Sequence, residues 1–239
     1  MIRSVLYLAK LSFYWMIFFF AYRLAFLLIY PSKIPDGNLS EAIYVFFNSI
    51  RLDLSTIAYL ICIPMILWSI QQFMKQNFIN HVNYFYNITL ISAITLLCIS
   101  NIAMYGEWNA LINFNTLYYL IAPAKMFPYL TTFELVAVLI GFTAVIAIFI
   151  LLFRVMILMV IPYSTNKMIY KAVIVPLMFP ILFLFMRGGT QQAPINETSA
   201  CFSKTMFIDH VAINPVWHLG HMAIVALNED ETENATDKR

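Results

Sequence analysis

Five long apolar runs constrain this chain more than any other feature. They cover roughly Leu11–Tyr30, Leu54–Phe73, Tyr84–Met104, Phe133–Phe153 and Met168–Met186. Each has about the ~20 residues that an α-helix needs to cross ~30 Å of hydrocarbon. The runs are continuous rather than alternating and far exceed the length of a barrel strand, which excludes a transmembrane β-barrel. Composition agrees, with 62% of residues hydrophobic and 11% charged, against about 25% charged in a soluble domain. A soluble fold, a disordered tail and a nucleic-acid binder with a broad basic face are thereby excluded. The sequence predicts an all-α, polytopic membrane helix bundle of five transmembrane helices.

The first run is too long and too apolar for a cleaved signal peptide and reads as a retained span. Pro64, Pro176 and Pro180 fall inside runs, where neighbouring helices can re-satisfy the freed carbonyls. Orientation follows from the basic residues of short loops. With the N-terminus inside, the inner segments carry Arg3, Lys10, Lys75, Arg154, Lys167 and Lys171, and all 12 acidic residues fall outside. The expected topology is N-terminus in and C-terminus out.

Two of the outer segments contain more than a turn. Residues 40–50 read as a short helix capped by Ser40. Residues 105–131 are rich in tyrosine and include Trp108, and such aromatics favour the membrane–water boundary. An interfacial helix from Trp108 to about Ile121 is expected there. Gly188-Gly189 ends the last span. The chain then divides into a five-span domain (1–187), an extracytoplasmic segment (188–227) and an acidic stretch (228–239) that reads as a solvated linker.

Charges near the outer face are the candidate functional groups. Arg23 lies inside the first span and reads as snorkelling towards the headgroups. Arg51 and Asp53 open the second span, Glu134 opens the fourth and Arg187 closes the fifth. Arg51, Asp53, Glu134 and Arg187 are the candidates for binding lipid headgroups or docking an outer domain. Arg51 and Asp53 point different ways on a helix, and Arg187 is the expected partner of Asp53. Cys62, Cys98 and Cys201 have neither zinc nor redox spacing. His218 and His221 are spaced i, i+3, but a third and fourth ligand are not evident. They and His210 read as surface or packing residues, and no metal site is expected in the chain.

Arg51-Leu52-Asp53-Leu54-Ser55-Thr56 resembles the arginine–x–aspartate motif of the lipoteichoic acid synthase-like sulfatases. The segment Asn101–Trp108 followed by Leu117–Leu120 and Pro123 is similar to the region after their third span, although Asn101 and Leu111 depart from that pattern. The most specific likeness is Arg187-Gly188-Gly189, Pro194-Ile195-Asn196, Phe202-Ser203 and His210–Trp217. These proteins belong to the alkaline phosphatase superfamily. The resemblance implies a bacterial plasma-membrane protein whose outer catalytic domain transfers phosphoglycerol or cleaves phosphate or sulfate esters. That domain would use a threonine nucleophile and a divalent metal such as manganese. Its nucleophile and ligand segment is not in these 239 residues, so the expected role is the membrane anchor of such an enzyme. The expected partners are the bilayer, an anionic glycerophospholipid headgroup and the chain's own catalytic domain, with no nucleic acid. The alternatives are a stand-alone carrier and a structural or assembly subunit. A carrier is disfavoured because the midplane lacks paired ionisable residues.

Overall fold

The computed structural model describes the backbone of residues 2–34, 39–112, 132–157, 161–165 and 167–236, and their side chains except at 132–135, 137–138 and 226–236. The described residues form eight α-helices: α1 (Ile2–Ile29), α2 (Leu39–Asn48), α3 (Ile50–Phe73), α4 (Asn77–Trp108), α5 (Thr132–Met156), α6 (Met168–Arg187), α7 (Met206–Ala212) and α8 (Pro215–Thr236). Five helical stretches are long and apolar enough to span a membrane: α1, α2 with α3, α4, α5 and α6. The chain is an all-α polytopic helix bundle. The expected interfacial helix after Trp108 lies, beyond Ile112, outside the described residues.

α1 gives one face to the core. Its buried residues recur every three or four positions, at Tyr7, Leu8, Leu11, Tyr14, Trp15, Phe18, Phe19, Tyr22 and Phe26, the spacing of one helix face. Leu6, Phe13, Phe20, Leu24 and Leu28 fall on the other side and are exposed, as lipid-facing residues should be. α1 packs on α3 and α5, α3 packs on α6, and α4 packs on α5. Only Ser49 separates α2 from α3, and the hydrogen-bond ladder carries through it from Ser49 N to Val45 O at 3.1 Å and from Asp53 N to Ser49 O at 2.9 Å. The short helix expected at 40–50 therefore runs into the second span, and it begins at Leu39 rather than after a Ser40 cap.

Polar contacts fix which helix ends lie together. At one end Trp68 Nε1 donates to Ser4 Oγ at 2.7 Å and Asn83 donates to the Tyr7 hydroxyl at 2.6 Å. There Gln72 also ties down the α5–α6 connection, donating to Pro162 O at 3.1 Å and accepting from Ser164 N at 3.1 Å. In hydrocarbon such groups need internal partners. At the other end α1 and α4 meet through Tyr30, whose hydroxyl donates to Ile102 O at 2.7 Å. α3 and α6 meet there through Ser55, whose hydroxyl donates to Met186 O.

This second end is capped. α6 stops at Gly188 (φ 79°), and Gly189 N donates back to Leu184 O at 3.0 Å, a glycine-terminated helix end. A Cβ at Gly188 would lie 2.5 Å from the Ile195 Cβ, so both the positive φ and the close approach require glycine there. The chain then folds back over the bundle. Phe207, Ile208, Val211, Ala212 and Ile213 are buried in the same core as α1 and α3. Phe207 packs edge-on to Phe26 with centroids 5.6 Å apart. The segment after the fifth span is thus continuous with the core of the bundle. α8 continues to Thr236, so most of the acidic stretch read as a linker forms its last turns.

Candidate functional site at the capped end of the bundle

A buried ion pair lies beneath the cap. α1 turns its Phe19–Tyr22–Arg23–Phe26 face inward, and the first turn of α3 presents Asp53. The Arg23 Nη1 donates to Asp53 Oδ2 at 2.6 Å and Nη2 donates to Oδ1 at 2.8 Å. Both side chains are almost wholly shielded, at 1% and 3% exposure. Two parallel N–H···O bonds are the geometry that suits guanidinium and carboxylate best. The cap completes the cluster. Arg23 Nη2 also donates to Ala212 O at 3.0 Å, and the Asn214 amide donates to Asp53 Oδ1 at 2.7 Å. The Asn214 Oδ1 then accepts from Val216 N at 3.0 Å and Trp217 N at 3.3 Å, which makes it the N-cap of α8. One asparagine therefore both starts α8 and fastens it to the ion pair.

The expected pairing of Asp53 with Arg187 does not occur. Asp53 faces inward and is taken by Arg23, whose guanidinium does not snorkel to the surface. A lone charge in this interior would cost far more than a solvated one, and the bidentate partner thirty positions away offsets part of that cost, with Arg23 Nε buried and without a hydrogen-bond partner. Arg187 instead donates to Gln191 O at 3.0 Å and Gln192 O at 2.7 Å. Arg51 reaches the same turn, donating from Nη2 to Gly188 O at 3.3 Å and to the Gln191 side-chain oxygen. The structure thus brings Arg51 and Arg187 together on residues 188–192 and assigns Asp53 to the buried cluster. Glu134 lies in the first turn of α5, and its side chain falls outside the described residues.

Further contacts seal the cap. Asn101 donates to the Tyr22 hydroxyl at 2.6 Å and accepts from Ile112 N at 2.9 Å. An amide serves both bonds, and a carboxylate would not donate to the tyrosine oxygen. The Tyr105 hydroxyl and His210 Nδ1 lie 3.0 Å apart, joining α4 to α7. Asp209 accepts from Phe202 N and Ser203 N, both at 2.9 Å, and His218 Nδ1 lies 2.9 Å from Glu197 Oε1. Burial pushes the His210 imidazole below its usual pKa, and His218 adds to the shift, while Asp209 and Glu197 oppose it. Burial, with Asp209 and Glu197 beside it, raises the Cys201 thiol above its usual range. Among the described residues no group of three or more His, Cys, Asp and Glu side chains is placed to hold a metal ion.

Sequence reasoning named Arg51, Asp53 and Arg187 but missed Asn214 and the role of Arg23. A signal was present: Arg23 falls on the α1 face that carries Phe19, Tyr22 and Phe26. Fold and site together define a polytopic α-helical membrane protein whose segment after the fifth span is latched into the bundle by a buried ion pair. Comparison with protein-family models, with curated proteins and with solved structures finds no match to the chain.

Proposed function

We propose that this chain is the membrane-anchoring portion of a lipoteichoic acid synthase-like phosphoglycerol transferase or sulfatase. In this reading it holds an extracytoplasmic catalytic domain at the outer leaflet of a bacterial plasma membrane. The observation that carries the reading is the latch: Asn214 donates to a carboxylate already paired with Arg23, so the segment leaving the last span is fixed to the bundle. A fixed exit sets the height and direction of whatever follows it, which a flexible tether would not. The divalent metal implied by the resemblance has no ligand set among the described residues, and in this reading it belongs to the catalytic domain. In this reading Arg51 and Arg187 stand at the headgroup level and suit an anionic phosphodiester, because a guanidinium offers two donors at once.

The test is an immunoblot of the source cells with an antibody against residues 31–53. The reading predicts a band well above 27.7 kDa and release of a soluble fragment when intact cells or spheroplasts are treated with protease. A band at 27.7 kDa with no released fragment overturns it.

A further inference from the structure

Beside the latch, the lipid-facing surface of the bundle is open. α1 and α6 each pack on α3, and between them runs a groove of about 420 Å³. Leu54, Ala58, Ile61 and Met65 of α3 form its floor, a 3–4 spacing that keeps them on one helix face. Ala9 and Phe13 of α1 and Phe185 of α6 form its exposed edges. Every side chain that lines the groove is apolar except Ser12, and the Ser12 hydroxyl donates to Leu8 O at 3.0 Å. No lining side chain is left seeking a polar partner, so the groove suits hydrocarbon and not water.

Its length and position identify the occupant. From Leu54 to Met65 the floor extends about 16 Å at ~1.5 Å per residue, close to half of the ~30 Å hydrocarbon core. From Asp53 to Phe73, α3 covers about 30 Å on the same measure. On α3 the groove opens at the capped end, and on α1 its lining runs from Met16 to Val5, next to the Ser4 that meets Trp68 at the other end. An extended acyl chain suits a slot of this length and apolar lining.

A cation stands at the mouth. Arg51 is one turn above Leu54 and continues the stripe of residues 54, 58, 61 and 65. It is exposed, and among the described residues only its Nη2 is engaged. Neither Arg51 nor Arg187 makes a carboxylate ion pair among the described residues. We infer that the groove seats one acyl chain of a resident glycerophospholipid, with the lipid phosphate held by the Arg51 guanidinium. The lipid fills the gap between α1 and α6 and ties α6, which carries the 188–192 turn, to the rest of the bundle. The inference deepens the headgroup role given above to Arg51 and does not depend on a catalytic domain.

The experiment is native mass spectrometry of the full chain in detergent, titrated with palmitoyl-oleoyl phosphatidylcholine. One lipid per chain is expected to be retained. Arg51→Gln should weaken retention about tenfold, the scale of a lost charge-assisted contact. Dioleoylglycerol, which has tails and no phosphate, should bind more weakly and show no sensitivity to Arg51→Gln. Inorganic phosphate should not displace the lipid. Ala9→Phe narrows the groove from its exposed edge and Ala58→Leu fills it from the floor. Each variant that keeps the wild-type circular dichroism should lose the lipid. Wild-type retention in such a variant, displacement by phosphate, or lipid-free dimers in place of lipid-bound monomers overturns the inference. Loss of the lipid result with protease release of an outer fragment intact refutes the groove alone. The reverse outcome refutes the anchor reading alone.

Discussion

Replacing Asp53 by leucine tests the latch at its most exposed assumption, that the carboxylate is held by partners on two other elements. The substitution removes the acceptor of two Arg23 bonds, at 2.6 and 2.8 Å, and of the Asn214 bond at 2.7 Å. It leaves Arg23 with Ala212 O at 3.0 Å and a weaker contact to Phe19 O at 3.4 Å. Breaking a buried ion pair from one side costs about 3–5 kcal/mol, because the remaining charge stays buried. A stranded amide at Asn214 adds about 1–3 kcal/mol, so Asp53→Leu should lose roughly 4–8 kcal/mol in all. Removing both charges is different. Arg23→Met with Asp53→Leu leaves no buried charge and only the stranded amide, so the double variant should lie within about 1–3 kcal/mol of wild type. Reversible unfolding in mixed micelles measures all four corners of this cycle, and the expected coupling exceeds about 2 kcal/mol. Single variants within about 1 kcal/mol of wild type, or a double variant equal to the sum of the singles, would refute the reasoning.

Asn214→Ala should cost about 2–5 kcal/mol, as a lost N-cap and a lost donor to the Asp53 carboxylate, and raise hydrogen exchange across 206–225 while leaving α1 protected. Acidification should loosen the cap. The His210 pKa is depressed in the folded state, chiefly by burial and then by His218. Its contribution is therefore fully present above the unfolded value of about 6.5 and is lost as pH falls through the lower folded value. Hydrogen-exchange protection of α7, taken relative to the intrinsic rate at each pH, measures this between pH 7.5 and pH 5, and His210→Phe should flatten the difference; equal protection at both pH values in wild type would contradict it. Cys201 is the exposed cysteine, and it should be the one labelled by a membrane-impermeant maleimide added to intact cells. Its raised pKa makes the labelling faster with rising pH. Labelling that requires permeabilised cells would place the cap on the inner side.

The spans were legible because hydrocarbon imposes a length and a composition on every one of them. The runs read at 54–73 and 168–186 match α3 and α6 to within four residues. The first and third were read short, because Arg3, Ser4 and Lys10 in α1, and His81 with several asparagines in α4, dilute the apolar signal although the helices continue. Ser4, Asn80, Asn83 and Asn87 are in fact buried, and each makes a side-chain hydrogen bond within the bundle. The partner of Asp53 was not legible for a related reason. Helical spacing tells which residues share a face of one helix, but the pair joins α1 to α3, and only their packing decides that Arg23 rather than Arg187 faces the carboxylate. Asn214 carried no signal beyond its place before Pro215, the first residue of a helix.

The most direct measurement of the account is hydrogen–deuterium exchange of the full chain in nanodiscs, wild type against Asp53→Leu. The latch predicts that amides from Phe207 to Trp217 exchange slowly in wild type, with the protection of a core segment. It also predicts that they exchange many-fold faster in the variant while the amides of α1 and α4 stay protected. Wild-type exchange across Phe207–Trp217 at the rate of an unstructured peptide would contradict it, because the segment after the last span would then be a free tether.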